Sequence, residues 1–130
     1  MNDDAKTELQ EFTEATIEAL YFVDTGDDGQ PSNDAEMSDE TRLDLEADCR
    51  SFWHRFGCFI MCDACVIVRG SGEYTKAQQA GHDFWMTRNG HGVGFWDGDW
   101  SDNYSDMLTK GAKAYGRFEI YAGDDGLIYA

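Results

Sequence analysis

The sequence is most informative first in what it lacks. No apolar run reaches the roughly 18 residues that a membrane span needs; the most apolar stretch, Phe56 to Val68, is short and interrupted by Asp63. The opening residues, MNDDAKTELQEF, have no basic segment followed by an apolar one, so no secretory signal is expected. Positive charge is scarce, with 10 Lys and Arg against 26 Asp and Glu and a net charge of −16. Such a chain is not drawn to nucleic acid or anionic lipid by simple attraction. Proline occurs once, at Pro31, and cysteine four times, at 49, 58, 62 and 65. Without an export signal the cysteines are read as reduced thiols in a cytoplasm. No nucleophile elbow and no phosphate loop is present.

What remains describes one folded domain over 1–130. The hydrophobic share of 42% and the aromatic share of 14% are those of a chain with a core, and this length buries one without metals or disulfides. Helical spacing and capping residues predict four helices. The first spans 4–22, with Leu9, Phe12, Thr16, Ala19 and Leu20 inward, and starts later if Thr7 and Gln10 form a capping box. A second begins at the N-cap Ser38 and carries Leu45, Cys49, Phe52, Trp53 and Phe56, with Gly57 expected to bend it or to end and restart it. A third follows Thr75, with Ala77, Ala80, Gly81, Phe84 and Arg88 on one face, and stops at Asn89-Gly90. A fourth runs from Ser101 or Asp102 to Tyr115. His91 to Trp96 alternates small and large residues and reads as a strand. Residues 117–121 and 127–129, joined by Gly-Asp-Asp-Gly, read as a hairpin. Residues 24–37 form an acidic, mobile surface loop. The expected class is α+β: about four helices packed with a short antiparallel sheet that includes the C-terminal hairpin.

The most distinctive stretch is Ala80 to Trp100, with three of the four tryptophans, two of the three histidines and five glycines. Phe84, Trp85, Asn89, Gly90, Phe95 and Trp96 are its structural residues. Its AGHDFW-x-TRNGHG-x-GFWD run resembles a family of small tailed-phage proteins. The likeness implies a phage origin and a shared fold, and brings no activity with it.

Four kinds of chemistry are conceivable. Cys58, Cys62 and Cys65, with His82 or His91, have the ligand types of a zinc site, although their spacing is also that of a buried helical stripe. Asp97, Asp99, Ser101, Asp102 and Asn103 begin like a calcium loop but lack its sixth-position glycine and twelfth-position glutamate. His82, Asp83, Arg88 and His91 could converge on a small molecule or nucleotide and do acid–base work. The fourth is charge itself. Residues 1–50 hold 16 acids against 3 bases, residues 51–130 hold 10 against 7. Carboxylates recur along the first helix at about 5 Å, the helix pitch, near the spacing of phosphates along a strand. Asp4, Glu8, Glu11, Glu14, Glu18, Asp24, Asp27, Asp28, Asp39 and Glu40 are therefore read as a partner-binding face. The expectation is a protein with no cofactor, no metal and no catalysis of its own that docks on a basic, nucleic-acid-binding host protein. The alternative is a small-molecule or nucleotide-binding protein, or a small enzyme, built on the central block. A third is a virion or assembly component held by its aromatic surface.

Overall fold

The computed structural model describes residues 7–61, 75–96 and 100–130, with backbone alone at 102 and 103. Four helices, α1 (Glu8–Asp24), α2 (Asp39–Phe59), α3 (Lys76–Arg88) and α4 (Asp102–Lys113), precede a two-stranded antiparallel sheet of β1 (Tyr121–Ala122) and β2 (Ile128–Tyr129). This is the α+β class. None of the described helices is long and apolar enough to cross a membrane.

Local chemistry sets the helix starts. Thr7 and Gln10 form a complete capping box, Oγ1 accepting from Gln10 N at 3.1 Å and Oε1 from Thr7 N at 2.8 Å. The first helix therefore begins four residues later than the stripe alone implies. Thr75 and Gln78 repeat the device at α3, and Ser38 caps α2 through Thr41 N. Each satisfies backbone donors that helix geometry orphans. α2 runs through Gly57 without a break.

One offset organises the packing. Thr75 Oγ1 donates to Glu11 Oε1 at 2.9 Å, Thr16 Oγ1 reaches Gly81 O at 3.1 Å, and His82 Nε2 lies 2.8 Å from Glu18 Oε1. The sequence separations are 64, 65 and 64 residues. A constant separation means that α1 and α3 lie side by side and parallel. Their approach depends on Gly81: a Cβ there would stand 2.3 Å from Phe12 O, 2.8 Å from Ala15 Cβ and 3.0 Å from Thr16 N. Ala15, Thr16 and Ala19 of α1 meet Ala77, Ala80 and Gly81 of α3 as buried, small-residue surfaces.

Beside this seam lies an aromatic core centred on Phe52 of α2. Its ring centre is 5.7 Å from Phe12, 4.5 Å from Phe84, 5.9 Å from Phe95 and 4.8 Å from Phe56. Offset and tilted pairs at these distances add to the energy of burial itself. Leu9, expected inside, is half-buried, and Ala15 takes an inward position instead.

Two expectations are corrected by backbone geometry. His91 to Trp96 is not a strand. Gly92 within it and Gly90 just before it have φ of 83° and 70°, the left-handed region rather than the extended one of a regular strand, and 91–96 forms bends and turns. The hairpin forms, but with only two residues per strand, in the register Tyr121↔Tyr129 and Ala122↔Ile128. β2 is also held by the end of the 24–37 loop, through Ser38 N to Ile128 O at 2.9 Å and Ile128 N to Glu36 O at 2.8 Å. The loop itself is tied down by Gly26 N to Pro31 O at 2.8 Å and Tyr21 Oη to Ala35 O at 2.7 Å.

Cys49 is fully buried in this core, and burial pushes its thiol up to about 12. Cys58 is exposed. Because the thiolate is the reacting form, an alkylating reagent at neutral to mildly alkaline pH is expected to label Cys58 and spare Cys49. Denaturant should then make both react, as read by mass spectrometry of the two peptides.

Candidate functional site

The four central residues proposed to share a pocket have four separate surroundings. His82 pairs with Glu18 across the α1–α3 seam. Asp83 is buried, and its Oδ2 accepts from Trp100 Nε1 at 2.7 Å and Gln79 Nε2 at 3.2 Å. Arg88, 4% exposed, donates through Nε to Gly116 O at 2.8 Å and through Nη2 to Tyr115 O at 3.1 Å. Its Nη1 lies 3.0 Å from Asp48 Oδ2, off the line of a hydrogen bond. The guanidinium also stands 5.2 Å from the Phe84 ring centre, 5.7 Å from Tyr115 and 5.3 Å from Phe118. It joins the end of α3 to the end of α4 by hydrogen bonds and cation–π contact together.

His91 is different, because it opens on a cleft. Its Nε2 lies 3.0 Å from Asp24 Oδ2, which also accepts from Trp85 Nε1 at 2.7 Å. The cleft has a volume of about 200 Å³ and is bounded by Asp24, Gln30, Asn89, His91 and residues 117–120. Asn89 is committed on both sides, donating to Trp85 O at 3.2 Å and accepting from Phe118 N at 2.9 Å. Arg117 and Glu119 are exposed. Nothing in the sequence pointed to residues 117–120 as part of a site, since they reach Asp24 only through the tertiary fold.

Within the structural block, Phe84, Trp85 and Phe95 are buried, whereas Trp96 is 43% exposed, with the Lys113 ammonium 5.7 Å from its ring centre. Cys62 and Cys65 of the zinc reading, and Asp97 and Asp99 of the calcium reading, lie outside the described residues, as does Asp4.

The acidic face is divided. Glu11, Glu18 and Asp24 turn toward α3 and the chain that follows it. Glu18 nevertheless stays exposed, as do Glu8, Glu14, Asp27, Asp28, Asp39 and Glu40, and Asp44 joins them on α2. Two arginines interrupt the field. Arg42 and Arg50 line the groove between α1 and α2 with Leu9, Thr13, Glu14, Ile17 and Glu46.

Fold and surface together define a small, strongly acidic, helix-rich α+β domain. No protein-family model, no curated protein and no solved structure matches this chain.

Proposed function

We propose that this is a small acidic accessory protein of phage type that binds and inhibits or modulates a basic, nucleic-acid-binding host protein. The supporting observation is the outward display of carboxylates by α1, the 26–34 turn and the start of α2. Residues 7–50 carry 14 acids against 2 bases. Solubility calls for a net charge of only about 2–8 in a small domain, and a basic cleft that normally holds DNA or RNA is the natural complement of this surface. Long-range attraction would steer the encounter, and the regular helical rows of carboxylates would stand in for a phosphate backbone.

The test is capture from host lysate on the immobilised protein. A basic nucleic-acid-binding protein should be retained at low salt, released at high salt and displaced by added DNA or RNA. Replacing Glu8, Glu14, Asp39 and Glu40 with their amides should weaken capture by about ten- to a hundredfold, mainly through slower association. Retention indifferent to both salt and these substitutions would sink the reading. The competing reading, a small-molecule or enzymatic site in the central block, loses support from the separate surroundings of His82, Asp83 and Arg88.

A further inference from the structure

The parallel alignment of α1 and α3 brings two helix C-termini to the same end of the molecule. The cleft lies at that end, bounded by Asp24, the last residue of α1, and by Asn89 and His91, which follow α3. Helix C-termini carry partial negative charge, and α1 has no basic residue in its last turn to offset it. Asp24 and Glu119 add two carboxylates, while Phe118 and Ile120 supply an apolar wall.

The opposing charges are Arg117 and His91. His91 is engaged with Asp24, and the Arg117 guanidinium lies against Gly90, with Nη2 3.1 Å from where a Cβ would stand. Arg88, just behind, is occupied by Asp48 and two carbonyls. With His91 counted neutral, the cleft sets two carboxylates against one guanidinium, and that balance of fixed charge favours a cation. A volume of about 200 Å³ is that of one long side chain, below the roughly 300 Å³ at which small-molecule pockets begin.

We propose that this cleft is the anchor pocket for a single arginine or lysine side chain of the basic partner. The head would face Asp24 and Glu119, and the aliphatic stem would lie along Phe118 and Ile120. This rests on the partner reading above and assigns that partner's point of attachment.

The test uses the whole 15N-labelled protein and acetylated, amidated arginine as probe, with inorganic phosphate as the opposing one. Two signals report on the cleft: the Trp85 indole N–H, which donates to Asp24, and the Phe118 amide, which donates to Asn89. The arginine amide should shift both. Glu119→Gln should weaken it about tenfold, and Arg117→Gln should strengthen it severalfold, since one removes an attracting charge and the other a repelling one. Both positions are exposed, so neither variant threatens folding.

Unmoved signals with the arginine amide overturn the proposal. So does a phosphate response that Arg117→Gln abolishes, which would mark an anion site. If basic protein is captured from lysate in a salt-sensitive manner while the probe leaves both signals in place, the pocket assignment fails and the partner reading survives. If the probe binds with the expected charge dependence but no basic protein is captured, the cation pocket stands and the partner reading fails.

Discussion

Arg88→Ala is expected to destabilise the protein by about 3–5 kcal/mol, the range for removing one partner of a buried charge pair. Three losses combine. The carbonyls of Tyr115 and Gly116 lose their donors, the cation leaves the faces of Phe84, Tyr115 and Phe118, and a cavity opens at the join between the ends of α3 and α4. Asp48, a third exposed, recovers part of its hydration and moderates the total. Arg88→Lys keeps the charge but not the planar fork, and should lose about 2 kcal/mol. Urea unfolding followed by far-UV circular dichroism measures both. An alanine variant within about 0.5 kcal/mol of the parent, the scatter of ordinary surface changes, would show that Arg88 fastens nothing and restore it as a candidate for chemistry.

The second large effect runs against helix propensity. Gly81→Ala should favour α3 by about 1 kcal/mol if the helix stood alone. In the folded protein the added methyl meets the Phe12 carbonyl oxygen and the Thr16 amide nitrogen. These are backbone atoms and cannot rotate away, so α1 and α3 must separate and their seam must repack. Overpacking of this kind costs about 1–3 kcal/mol, occasionally more, and a net loss of about 2 kcal/mol is expected. The same urea titration reads it, and Gly81→Val should be worse than Gly81→Ala. A stabilised Gly81→Ala variant would mean that the two helices do not approach as described.

The two positions show how far sequence reasoning reaches. The face that carries Gly81 and Arg88 was legible, because 3.6-residue periodicity is local. So were the caps at Thr7, Ser38 and Thr75 and the stop at Asn89-Gly90, all of which are contained within three or four residues. The strand expected at His91 to Trp96 failed because alternation of size does not reveal the sign of φ. The acidic stripe of α1 was read as one outward face because a helical wheel assumes a single inside. Glu8, Glu14 and Glu18 are exposed as that stripe implies and Glu11 is half-buried; what the wheel does not show is that Glu11 and Glu18 have partners 64 residues away, on the α3 side. The cleft was invisible for the same reason, since Asp24, Asn89 and Arg117 carry no common local signal.

The side-by-side, same-direction arrangement of α1 and α3 also constrains how the chain reaches its native state. A helix cannot dock alongside another with the same heading until an intervening segment has travelled back, here with α2 between them. α1 makes its closest contacts with residues 75–91, so it emerges during synthesis long before its partner exists. Until then it is a strongly self-repelling segment with little to hold it helical. Collapse is therefore expected to wait for the second half of the chain, with a high contact order and a correspondingly slow rate for so helical a protein.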